Sequence, residues 1–178
     1  MSVGPTSHAQ SNNAPQTSTS SEPQVISAGR SGLRLGQISE LTIIAPLKPG
    51  GADRLREKLR QSAAHQQERM AKIATVHDMR FVIFDQDTRL LFATAYDGDW
   101  DTYIDDFGTQ IPDLLNYFFE DVEEFPGIET PGAKDFIAKH QVTASGWYAA
   151  YPSQTVRDIW RGQRVVQAFN ELIDAAQS

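Results

Sequence analysis

The chain has 178 residues, a formal net charge of −7, 40% hydrophobic residues, 22% charged residues and no cysteine. That length suits one folded unit whose core needs no covalent staple. The lack of Cys excludes disulfides, thiolate catalysis and Cys-ligated zinc, haem or iron–sulfur sites, and the acidic balance argues against nucleic acid as the main partner.

Residues 1–34 are dominated by Ser, Thr, Gln, Asn, Ala, Pro and Gly. So few apolar side chains cannot offset the entropy of ordering the segment. It is read as a disordered tail, and residues 35–178 as the folded domain. No apolar run reaches the roughly 20 residues of a membrane span. No apolar block of signal-peptide type lies near the start, so a cytoplasmic protein is expected.

From Ile38 to Leu47 the chain is rich in β-branched residues and ends at Pro49-Gly50-Gly51, the pattern of a first strand and its turn. Asp53 is placed to cap a helix, along which Leu55, Leu59, Ala63, Met70 and Ile73 fall at helical spacing. Met79 to Phe84 and Leu90 to Tyr96 are short apolar runs around a polar loop, which predicts a hairpin apolar on both faces. From Trp100 to Val122 apolar residues recur every three or four positions. Gly108 and Pro112 interrupt them, predicting a kink or two consecutive helices. A long connection with one helical turn near residues 134–139 follows, then a fourth strand from Ala144 to Tyr151. Thr155 and Asp158 have the spacing of a capping box before a closing helix.

This order is the split βαβ, a ferredoxin-like α+β fold βαββαβ with an added C-terminal helix. Helices would cover one face of the sheet. The other face, read as apolar, needs a second cover, which a homodimer joined sheet to sheet would supply as a dimeric α+β barrel.

The segments IAPLKPG (44–50), HDMRFVIF (77–84), LLFATAYDGDWDTYIDDF (90–107), FPG (125–127) and SGWYAAYP (145–152) resemble a module of dye-decolorising peroxidases and their relatives. The likeness spans about residues 38–152. It implies the dimeric α+β barrel superfamily, which also holds chlorite dismutases and small monooxygenases. Those peroxidases carry two such modules, a haem on a histidine of the second, and a GxxDG motif. Here there is one module, and Thr94 stands where the first glycine of that motif belongs, ahead of Asp97-Gly98. Fold is therefore expected to transfer and peroxidase activity is not.

His77, at the start of the second strand, alternates onto the face of Met79, Phe81 and Ile83. It is either a base or ligand at a pocket mouth or a strand-end histidine bonded to a loop. His140, just before the fourth strand, is a further pocket candidate. Arg80 is either salt-bridged to Asp78, Asp97 or another carboxylate, or an anion clamp. Asp97 ends a strand where a pocket residue would sit, whereas Asp99, Asp101, Asp105 and Asp106 read mainly as a solvated helix face. Trp100, Tyr103, Trp147 and Tyr151 are either pocket lining or core and dimer contacts.

The function expected from these residues is that of a small-molecule-binding or accessory module with an aromatic-lined pocket between sheet and helices. The alternatives are a haem-dependent or cofactor-free oxidoreductase using His77, Arg80 and Asp97, and a module that docks through its sheet. No metal site is read from the spacing.

Overall fold

Strands of alternating large apolar residues bury one face of a sheet, and helices with apolar stripes close over it. The computed structural model describes residues 23–30 and 32–177. Among these the chain runs β1 (Val25–Ser27), β2 (Leu33–Leu35), β3 (Ile38–Pro46), α1 (Gly51–Ser62), a 3-10 turn (Ala63–His65), α2 (Gln66–Ile73), β4 (Val76–Phe84), β5 (Arg89–Asp97), α3 (Trp100–Gln110), α4 (Pro112–Phe119), α5 (Ala133–His140) and α6 (Val156–Gln177). The strands form one antiparallel sheet in the order β1-β2-β3-β5-β4. β3 and β4 flank β5, with α1 and α2 crossing between them, so the α+β architecture is consistent with a ferredoxin-like fold.

Leu41, Ile43 and Ala45 of β3 and Leu90, Phe92 and Tyr96 of β5 are all buried in the core. Trp100, Tyr103, Ile104 and Phe107 of α3 and Leu114 and Phe118 of α4 meet them there. Phe81, Phe92, Phe118 and Phe119 pack with ring centroids 5.0–6.2 Å apart. The apolar stripe expected over 100–122 is thus two consecutive helices. Pro112 opens α4, where its missing N–H leaves no bond unmade. The hairpin stands as expected, with Asp85, Gln86 and Asp87 all in the left-handed region at its turn. Asp53 lies in the first turn of α1, and Gly50 with φ 68° takes the cap position.

Two expectations are corrected. Residues 25–27 and 33–34, placed in the tail by composition, belong with Leu35 to β1 and β2, which extend the sheet from the free edge of β3. Residues 1–22 and 31 of that expected tail lie outside the described residues. Ala144 to Tyr151 is not a strand but irregular chain. β2 already pairs with Ile38 and Ser39 of β3, so the chain pairs with β3 only just before this segment, through the Ile43 to Gln141 bridge and the bond from Val142 N–H to the Thr42 carbonyl. Gly146 in its middle further weakens any extended pairing.

Candidate functional site

The sheet face turned away from the core helices carries Ile38, Ala93 and Ala95, with Asp78, Arg80 and Val82 on β4. The irregular segment 144–152 crosses one end of this face. At its start the Ala144 amide donates to Glu40 Oε1 at 3.1 Å. At its end the Gln37 amide donates to the Pro152 carbonyl at 2.7 Å. Gly36, with φ 63°, permits that approach, since a Cβ there would collide with the Pro152 carbonyl.

Between strap and sheet lies a cleft of about 200 Å³, bounded by Ile38, His77, Ala95, Trp147, Tyr151 and Ile159 among others. The registers Val76 to Tyr96 and Asp78 to Ala95 leave His77 as the extra residue of a β-bulge. Strict alternation would group His77 with Met79 and Phe81, but the bulge re-aims it to Asp97 and this outer cleft. Its Nε2 donates to Asp97 Oδ1 at 2.8 Å, with both side chains largely buried. Asp97 Oδ2 in turn accepts the Val156 amide at the start of α6, at 2.8 Å. The carboxylate therefore fixes the imidazole's orientation and leaves Nδ1 as its uncommitted nitrogen.

His77, Asp97, Trp147 and Tyr151 thus come together, and four other candidates do not join them. Trp100 is fully buried and donates from Nε1 to Gln141 Oε1 at 2.7 Å. Tyr103 stacks on Tyr96 at 3.7 Å and shares a 2.9 Å hydrogen bond with Thr94, and burial pushes its phenol well above its ordinary pKa. His140 ends α5, bonded through Nδ1 to the Phe136 carbonyl at 2.9 Å and packed on that ring. Arg80 is exposed on the outer face with Asp78 at 3.4 Å, which matches the salt-bridge option rather than a buried clamp.

The acidic cluster is a solvated, paired surface. Lys134 bridges Asp101 and Asp105, and Arg34 holds Asp99 at 2.6 Å. Among the described residues no group of three or more His, Asp or Glu is arranged to hold a metal ion. None of their helices is long and apolar enough to cross a membrane. The space between sheet and core helices is filled by side chains to a void of about 20 Å³, room for one water and no ligand.

The residues around His77 do not fit a haem. Nε2 is committed to Asp97, and the cleft lies below the roughly 300–1,000 Å³ of sites for drug-sized ligands.

Sequence reading missed Ile38, Ala95 and Ile159 as cleft walls, because only the bulge and the strap bring them together. It also missed Glu40, a buried carboxylate that accepts the Leu33 and Ala144 amides and the Thr42 hydroxyl. An acid inside an apolar strand was the available signal. No protein-family model, curated protein or solved structure matches the chain.

Proposed function

We propose that this chain is a small-molecule-binding module whose site is the outer cleft at His77, rather than a pocket between sheet and core helices. The observation that carries this is the strap bearing Trp147 and Tyr151 laid beside a His–Asp pair held in one orientation. Aromatic walls with the His77 imidazole and the Asp78 carboxylate at one side suit a small planar molecule carrying hydrogen-bonding substituents, donors facing Asp78. About 200 Å³ admits a ring of fragment size and little more. A panel of aromatic acids, phenols and amides, screened by NMR shift changes on the full chain, tests it. Binders should shift the His77 and Trp147 signals, and both His77→Ala and Trp147→Ala should weaken them at least tenfold. Binders indifferent to both changes, or no binder at all, would overturn the assignment.

Proton transfer on the bound molecule is a second inference, supported by the orientation that Asp97 imposes on His77. Solvent-deuterium exchange at an acidic C–H of a bound fragment should be fast with the native chain and lost in His77→Gln. Equal exchange in both excludes it. A sheet-to-sheet homodimer would have to cover Asp78 and Arg80, which stand 51% and 65% exposed on that face. That desolvation weighs against pairing there.

A further inference from the structure

α6 is 22 residues long, and among the described residues its burial is confined to its start, where Val156 is buried and Ile159 walls the cleft. Residues 161–177 are exposed throughout. Such a helix, about 33 Å long, should be polar on all sides if water were its permanent neighbour. Instead Val165, Val166, Phe169, Leu172 and Ile173 stand 37–67% exposed on it. Ile159, Gly162, Val166, Phe169, Ile173 and Ala176 recur at alternating intervals of three and four, the spacing of a helix–helix seam.

We propose that α6 docks on α6 of a second copy of this chain, antiparallel, and that this is the interface of a homodimer. The seam shares only Ile159 with the ligand cleft and does not require that a ligand bind there. The register that sets Val166 against Phe169 of the second copy also sets Gly162 against Ile173 and Ile159 against Ala176. Each layer then joins a larger side chain to a smaller one, as close packing requires. Gly162 supports this, because a Cβ there would meet nothing within 4 Å in its own chain. Nothing in this fold demands a glycine mid-helix, where it is unfavourable; an isoleucine arriving from outside would.

Charge favours the same direction only at longer range, because the charged side chains lie on the flanks and back of the helix rather than on the seam. Arg157, Arg161 and Arg164 lie in the first half of α6, and Glu171 and Asp174 in the second. The one acid of the first half, Asp158, is engaged in the capping box with Thr155. Antiparallel pairing lays the basic half along the acidic half and opposes the helix dipoles. Parallel pairing would align the arginines with one another, set Gly162 against itself and crowd two Phe169 rings.

The full chain, which has no cysteine, permits a direct test. Sedimentation velocity at micromolar concentration should give twice the chain mass. The double variant Val166→Glu, Phe169→Glu should weaken association by roughly 100-fold while keeping the thermal transition of the body, since both residues are exposed. Single variants G162C and I173C, mixed and oxidised, should yield a covalent dimer that neither gives alone. In antiparallel pairing two Gly162 positions lie about 16 Å apart along the axis, beyond disulfide reach. A native chain of single mass overturns the proposal, including one that instead partitions onto lipid vesicles. So does a dimer indifferent to the double variant, or crosslinking of G162C with itself.

Discussion

One carboxylate oxygen of Asp97 receives His77 Nε2 and the other receives the Val156 amide, each at 2.8 Å, so a single side chain ties the β4 bulge to the start of α6. Asn keeps only one acceptor and would turn its amide group toward one of the two donors. Asp97→Asn should therefore cost about 1–3 kcal/mol of stability, measured by urea unfolding. It should also switch the imidazole to the tautomer protonated at Nδ1, with Nε2 accepting from the Asn amide, visible as a changed His77 ring signal. An unchanged urea midpoint would mean that the pair orients nothing.

Glu40 does for the edge of β3 what a neighbouring strand would do. Its Oε1 accepts the Leu33 and Ala144 amides at 3.1 Å each, joining β2 and the strap across a gap that neither spans alone. Glu40→Gln retains an acceptor oxygen there, and its amide group can donate to the Thr42 hydroxyl that now bonds Oε2 at 3.3 Å. Gln should thus be tolerated, whereas Glu40→Ala should lose about 2–3 kcal/mol. Hydrogen exchange at the Leu33 and Ala144 amides should accelerate in the alanine variant only. Equal protection in both variants would deny the clamp.

The strength of local patterns decides what was legible in the sequence. β3, the β4–β5 hairpin, the break at Pro112 and the Thr155–Asp158 box each follow from side chains within a few residues of one another. β1 and β2 were hidden because three-residue strands carry little periodicity, and only Val25-Ile26 and Leu33 with Leu35 around Gly29 and Gly32 mark them. Their presence then decided the fate of 144–151, whose apolar residues suit a strand but whose edge on β3 was already taken. In the same way His77 and Asp97 were individually visible, but their meeting depends on a bulge, which alternation cannot foresee.

Tyr96 and Tyr103 lie ring on ring at 3.7 Å and 8°, both fully enclosed in the core. Burial raises both phenol pKa values, since an anion there would lack water. A raised folded value means that stability is complete below the unfolded phenol value of about 10 and is lost as pH climbs beyond it. Alkaline unfolding followed by far-UV circular dichroism should begin above that point, with phenolate absorbance from these two rings rising together with it. Tyr103→Phe should leave the Thr94 hydroxyl its bond to the Asp78 carbonyl at 2.8 Å and delay the alkaline transition. Phenolate formation from either ring before unfolding would refute the enclosure.

Lys58 and Asp121 form a buried ion pair at 2.5 Å beneath the first helix, where Arg54 adds a 2.6 Å bond to the same carboxylate and Lys58 also reaches Glu120. Burial alone would raise the Asp121 pKa, but the ammonium and guanidinium together outweigh it and hold the carboxyl below its ordinary range. A depressed folded value stabilises above the unfolded value of about 3.9, and that contribution disappears as pH falls through the folded one. At neutral pH Asp121→Asn should therefore lose about 3 kcal/mol, the low end for a broken buried pair because Glu120 remains beside Lys58. The difference between native and variant urea midpoints should narrow as the solution is acidified from about pH 5 to pH 2. A difference constant across that interval would show that packing, not the charge on Asp121, holds α1 to the segment after α4. Lys58→Met separates the two contributions further, since it keeps the aliphatic stem that packs there and removes only the ammonium. It should reproduce the acid sensitivity lost in Asp121→Asn only in part, because Arg54 still pairs with the carboxylate.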